Sequence, residues 1–208
     1  TRLPFWVMFV LILVLAGGRV GFNAYSSNVV DVGYAGVVGA DRILDGRSPF
    51  GSFPTKTPTP CGTRYSDGNY SGYIQPNGRC ETAIERGDTY GPAMYAAYVP
   101  GVAALGWTGR WDDLPAAHVT TGFFDLLAGI GLALFGWQFG GRRLAAAMAL
   151  FWFAMPWTAY TFMSDSNDTI VAAYLAWSAA LIARPVGRGA FVMLAALAKF
   201  APLILLPL

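Results

Sequence analysis

The chain is poor in charge: Asp, Glu, Lys and Arg make up 12% of its 208 residues, against roughly 25% in soluble domains. Hydrophobic residues account for 55%, and mean hydropathy is +0.44, so a water-soluble globule is a poor fit. Only two of the fourteen cationic residues are lysine, Lys56 and Lys199, and the net charge of +2 is too small and scattered for a nucleic-acid surface. One histidine, His118, cannot build a histidine-rich metal site, so no metal is expected. Phosphate-loop, zinc-spacing and Gly-x-Gly-x-x-Gly patterns are missing, which removes support for soluble nucleotide chemistry.

What is there is a series of long apolar runs. Segments of about 20 apolar residues fit bilayer crossings, and they fall at 4–22, 117–139, 144–162, 168–184 and 190–208. The first lacks a small-residue cleavage site behind it and therefore reads as a span rather than a signal peptide. The last is still apolar at Leu208, so the sequence is expected to be the amino-terminal part of a longer protein. The fold class is thus all-α, a polytopic integral membrane protein read as a single module over 1–208.

Between the first two spans lies a polar loop, 23–116, with two helical stretches of its own. One is 91–107, too short for a crossing and interrupted by Pro100, and it reads as an interfacial helix. The basic turns at Gly140–Arg143 and Arg184–Arg188 then share a side with Arg2, which the positive-inside rule makes cytoplasmic. The long loop and the acidic turn Ser164–Thr169 fall outside. A multi-pass cell-membrane protein with an extracytoplasmic working face is expected. The loop also holds Cys61 and Cys80, either two free thiols or a disulfide fitting an oxidising compartment and stabilising by about 3 kcal/mol.

The second stretch, 29–45, reads as an amphipathic helix with Asn28 as N-cap. At about 100° per residue, Asp31, Arg42 and Asp45 share one face, while Val30, Val37, Ala40, Ile43 and Leu44 lie opposite. That face is either solvated polarity or a carboxylate placed as general base beside an anionic substrate group. Asp165, Asn167 and Asp168 form a second cluster on the same side, either loop polarity and helix capping or substrate contacts. Arg19, Asp125 and Lys199 interrupt the spans, where ionisable groups cost at least about 2.5 kcal/mol and tend to mark function. Arg19 can reach outward to the interface. Lys199 can bind a lipid-linked phosphate or pair with Asp125, and His118 reads as an interfacial hydrogen-bonding residue.

The order of these elements resembles the class C membrane glycosyltransferases, particularly the polyprenyl-phosphate-mannose-dependent enzymes of glycosyltransferase family 87 of actinobacterial type. The similar features are Asp31 soon after the first span, the turn Gly46–Phe50, the run Asp88–Tyr95 with Tyr90 before Pro92, Ser166–Asn167–Asp168, and Lys199 with Pro202 three residues on. The resemblance implies a class C helical bundle and transfer of a sugar, mannose or arabinose, from a polyprenyl-phosphate donor to an envelope glycan or glycolipid acceptor. By resemblance Asp31 is the catalytic base, and Arg42, Asp165, Asn167, Asp168, Lys199 and Tyr90 contact substrate, with no cofactor beyond the lipid-linked donor. The stretch 52–86 with its cysteines is longer than in the simplest members. Two other classes remain open from the sequence: a flippase or transporter for an envelope lipid with Asp125 and Lys199 lining its path, and a silent membrane scaffold.

Overall fold

The computed structural model describes residues 3–27, 29–50, 63, 66, 73–74, 80–81, 90–107 and 114–205. They form α1 (Phe5–Ser26), α2 (Asp31–Leu44), β1 (Tyr73–Ile74), β2 (Cys80–Glu81), α3 (Pro92–Leu105), α4 (Pro115–Ala154), α5 (Pro156–Met163), α6 (Asp168–Ala180), α7 (Pro185–Ala198) and a 3-10 turn at Ala201–Leu205. The two strands make an antiparallel ladder pairing Tyr73 with Glu81 and Ile74 with Cys80, and the other regular elements among the described residues are helical.

Glycine and proline set the boundaries. Gly140 and Gly141 break α4, the latter at φ 59° and ψ −158°, a region open essentially to glycine alone. The two limbs double back, because a Cβ on Gly136 would meet the Leu144 carbonyl and one on Gly129 the Phe153 ring. Limb 115–139 is about 37 Å long at 1.5 Å per residue. Pro156 ends the second limb and starts α5, so the expected helix 144–162 is two helices. The expected span 190–208 likewise begins earlier, at Pro185, and stops at Ala198, where Lys199 is extended.

α1 and α4 are the helices long and apolar enough to cross a bilayer. α1 is inverted relative to a soluble helix: Met8, Arg19 and Asn23 are its buried residues, while Trp6, Phe9, Leu13, Val14 and Phe22 are more than half exposed. Those three buried positions fall on one stripe at 100° per residue, facing α4 and α5.

The core lies where α2, α3, α4, α6 and the end of α7 meet. Here the structure corrects the expected surface position of the stretch 29–45. α2 is buried continuously from Gly33 to Ala40, on both the valine and the glycine sides, and only its ends are open. Gly36 and Gly39 leave slots for aromatic rings of α3: a Cβ on Gly36 would stand 2.4 Å from the Tyr98 ring and one on Gly39 2.1 Å from that of Tyr95. Small residues at this spacing let two helices approach closely.

The bundle has two chemically distinct ends. Arg142 packs over the Phe5 ring at 5.6 Å, so the Gly140–Arg143 turn sits at the start of α1, and Gln138 donates to the Ala180 carbonyl beside Arg184. At the other end, Ser27 beyond α1 meets His118 near the start of α4, and α6 begins at Asp168 where α7 ends at Lys199.

Candidate functional site

At this second end, α2 docks on the turn before α6. The Val30 N–H donates to the Ser164 carbonyl (3.0 Å), and Gly33 lies so near the Asp165 carbonyl that a Cβ would come within 2.7 Å. Val30 is the N-cap without a capping side chain, and Asn28, the expected cap, lies outside the described residues. Instead Asp31, in the first turn, accepts the Val32 N–H through Oδ1 at 2.8 Å. Burial raises its pKa above the ordinary carboxylate value, opposed by that hydrogen bond and by the Lys199 charge.

Lys199 owes its position to Pro202. A proline there has no N–H to bond the Ala198 carbonyl four residues back, so that carbonyl stays open and the helix ends. Gly91 fills the opening: its N–H donates to the Ala198 oxygen at 3.3 Å, and its missing side chain permits an approach at which a Cβ would stand 1.8 Å from the Leu197 oxygen. The contact brings Tyr90 alongside Lys199, whose ammonium lies 5.6 Å from the phenol ring centroid and pairs with Asp168 Oδ1. Burial, then the negative charges of Asp31 and Asp168, push the Tyr90 phenol up to about 12, so it is a neutral hydrogen-bonding group at physiological pH. The Asp168 and Lys199 side chains are 56% and 29% exposed, which leaves the pair open to a ligand.

Asn167 sits behind this pair and is wholly buried. It does not cap α6. Ser166 does so, its hydroxyl accepting the Asp168 N–H (3.3 Å) and donating to Asp168 Oδ2 (3.1 Å). The Asn167 amide lies near enough to the Tyr90 hydroxyl to favour its ionised form weakly, yet neither amide atom makes a hydrogen bond of normal geometry. The Tyr98 hydroxyl is likewise buried without a partner. Buried side-chain polar atoms rarely stand unsatisfied, and these two converge on the same corner of the bundle.

Asp165 is not on the open face. It is fully buried at φ 49°, the left-handed region that aspartate tolerates better than most residues. Its Oδ1 accepts from Asn23 Nδ2 (3.1 Å) and the Thr121 hydroxyl (2.5 Å). Its Oδ2 is 2.8 Å from His118 Nδ1 but off the line of an N–H bond, and the same nitrogen has Ser27 Oγ at 3.0 Å and Asn23 Oδ1 at 3.1 Å. His118 is hydrogen-bonded as expected, and it belongs to a network that ties α1 and α4 to the 164–168 turn. Asn23, Thr121 and His118 carry no sequence signal for this role except polarity within apolar runs.

The mid-bundle ionisable residues pair differently from expectation. Arg19 does not reach outward: its Nη1 meets Asp125 Oδ1 at 3.3 Å, and Nη2 donates to the Trp152 and Met155 carbonyls (3.1 and 3.0 Å) and to Thr158 Oγ1 (2.8 Å). Trp152 Nε1 also donates to Asp125 Oδ1, at 2.9 Å. Pro156 cannot bond the Trp152 carbonyl, and Arg19 and Thr158 both take it up. With Asp125 held by Arg19 and Lys199 by Asp168, the alternative of a Lys199–Asp125 pair does not form.

Arg42, in the last turn of α2, stands eleven residues from Asp31, about 16 Å along the axis at 1.5 Å per residue, so it is not brought to the cluster. The expected Cys61–Cys80 disulfide lies outside the described residues, as does the greater part of 52–86. In comparisons with known proteins, no family model, curated protein or solved structure matches this chain.

Proposed function

We propose that the chain belongs to a multi-pass membrane glycosyltransferase that moves a sugar from a polyprenyl-phosphate donor to an envelope glycan or glycolipid at the extracytoplasmic face. The observation that carries this reading is the convergence of Asp31, Tyr90, Asp168 and Lys199, drawn from four separated stretches of chain, at the end of the bundle remote from Arg142 and Arg143. The inverted α1, with apolar side chains outward and polar ones inward, supports a surrounding of lipid. Arginine turns at one end and carboxylates at the other agree with the positive-inside rule.

In this reading the acceptor hydroxyl oxygen attacks the anomeric carbon, and the bond from that carbon to the phosphate oxygen breaks. The carrier phosphate leaves with the electron pair, and the hydroxyl proton passes to Asp31. A half-buried carboxylate with a raised pKa is a better base than a free one. Lys199, exchanging Asp168 for the phosphate, offsets the charge that develops on the leaving group. The half-buried Tyr90 hydroxyl is the neutral hydrogen-bonding group beside the pair for a sugar hydroxyl, with Asn167 buried behind it, and mannose or arabinose is the sugar favoured by the resemblance.

The test is Asp31→Asn in cells lacking the native copy, scored by envelope glycan analysis and protein level. Loss of the glycan at normal protein level supports the base, and wild-type glycan overturns it. For sidedness, a cysteine at exposed Ser48 should react with an impermeant reagent from outside and one at Arg143 from inside only, and the reverse pattern defeats the orientation.

A further inference from the structure

The basic end of the bundle has a feature that sugar transfer does not use. Arg142, Arg143, Arg184 and Arg188 gather there, and the stretches 1–30, 126–164 and 169–208 contain no aspartate or glutamate at all. Among the described residues none of the four arginines has a carboxylate partner. Arg188 instead donates Nη1 to the Ile182 carbonyl at 3.3 Å, one neutral contact for a group with five N–H donors.

Between α6 and α7, directly beside Arg188, lies a cavity of about 380 Å³. Its walls are mostly apolar, with Leu175, Ala179, Ile182, Val192 and Leu205, and the polar side chains that line it are Ser178 and Arg188. The Ser178 hydroxyl is already used, donating to the Arg188 carbonyl at 3.2 Å, which leaves the guanidinium as the recognition group. The cavity is also polarised along the bundle. Pro185 and Arg188 lie at the basic end, whereas Val192 lies about one turn and Leu175 about two turns toward the middle. A second groove flanks the other side of α6, lined by Trp137, Gln138, Trp177 and Arg184, so an arginine borders a groove on both sides of that helix.

We infer that the α6–α7 cavity is a binding site for one anionic phospholipid, its phosphate held by Arg188 at the basic end and an acyl chain laid between Leu175, Ile182, Val192 and Leu205. Charge complementarity commits the site to this occupant: a cationic rim without counter-charge above an apolar slot matches an anionic amphiphile, and clusters of arginine and lysine on the cytoplasmic side of a membrane protein bind such headgroups. Trp137, 61% exposed on the second groove, suits the headgroup region, where amphipathic aromatics collect. The inference rests on membrane insertion and not on catalysis.

Two substitutions test it without disturbing the fold. Arg188→Gln removes the charge at a partly exposed position. Gly189→Leu places a side chain in the cavity, and a Cβ there meets nothing within 4 Å, so the backbone has no reason to move. The chain is to be reconstituted with equal amounts of phosphatidylglycerol and phosphatidylcholine of matched acyl chains, extracted, and analysed by native mass spectrometry for retained lipid.

The expected result is one retained phosphatidylglycerol in the wild type, a preference reduced about fivefold in Arg188→Gln, and no retained lipid of either kind in Gly189→Leu. Equal retention of both lipids by the wild type, or unchanged retention by Gly189→Leu, overturns the site. A photo-crosslinker at Val192 that captures a second copy of the chain in place of lipid overturns it as well. Vesicle flotation of each protein separates failure of the site from failure of membrane insertion, and glycan analysis of Gly189→Leu, expected to be normal, keeps the result independent of the proposed transfer.

Discussion

Gly91 and Ala198 are joined by a main-chain hydrogen bond of 3.3 Å that exists because Pro202, four residues after Ala198, has no N–H to offer. The bond fixes Tyr90 beside Lys199, and so one proline and one glycine, 111 positions apart, assemble half of the candidate site. Gly91→Ala should destabilise the protein by about 3 kcal/mol, the upper end for overpacking, because a Cβ would stand 1.8 Å from backbone rather than from a movable side chain. A fall in Tm in lipid nanodiscs checks this, and an unchanged Tm would show that the two segments are not so close.

The raised pKa of Asp31 has consequences in both activity and stability. The folded state binds the Asp31 proton more tightly than the unfolded chain does. Its contribution to stability is therefore complete below the ordinary carboxylate pKa of about 3.9 and is lost as pH rises through the higher folded value. Asp31→Asn, which keeps an oxygen for the Val32 N–H, should raise Tm at pH 8 relative to the wild type and leave it nearly unchanged at pH 4. Transfer activity of the wild type should rise with pH along a limb displaced above the usual aspartate range. A limb at about pH 3.9 would remove burial as the tuning influence.

Arg19 and Asp125 provide a double-mutant cycle. Arg19→Met leaves the Asp125 carboxylate without its cation, a loss of about 3–5 kcal/mol, while the Trp152 and Met155 carbonyls keep the Thr158 hydroxyl. Adding Asp125→Leu should recover part of it, since the uncompensated charge disappears while the Trp152 indole N–H loses its acceptor. Additive losses in chemical denaturation would mean that the two residues do not interact.

Tyr98 distinguishes ring from hydroxyl. The ring fills the slot over Gly36, so Gly36→Leu should abolish folding, whereas the hydroxyl is buried without a partner. Removing it in Tyr98→Phe should be neutral or stabilising by about 1 kcal/mol, the desolvation cost of an unsatisfied group. A clear loss of stability would reveal a hydrogen-bond partner, with an internal water the first choice.

Helix positions were largely readable because their causes are local. Apolar runs announce α1 and the first limb of α4, the Gly140–Gly141 pair their turn, and Asp31 and Asp168 stand at helix starts. Asn167 and Asp168 could be picked out as polar residues at the margin of an apolar segment, Lys199 as a charge inside one, and Tyr90 by the resemblance, and they meet. The burial of α2 was not readable. Its Gly33, Gly36 and Gly39 lower the hydrophobic contrast of the helix, so it reads as a surface element, although those same glycines are what let Tyr95 and Tyr98 cover it. Arg42 shares a helical face with Asp31, but angle around an axis says nothing of the distance along it.

Taken alone, the amino-acid order decided the all-helical character, the places where helices stop, and the separation of arginine turns from acidic ones, since each follows from residues within a turn or two of one another. Only the packed bundle decided the partners: Arg19 with Asp125, Lys199 with Asp168, His118 beside Asp165. Those pairs lie 31 to 106 positions apart, and which side chains meet depends on how each helix is rotated and shifted against its neighbours, a choice set by the fit of glycine slots and aromatic rings rather than by any short stretch of sequence.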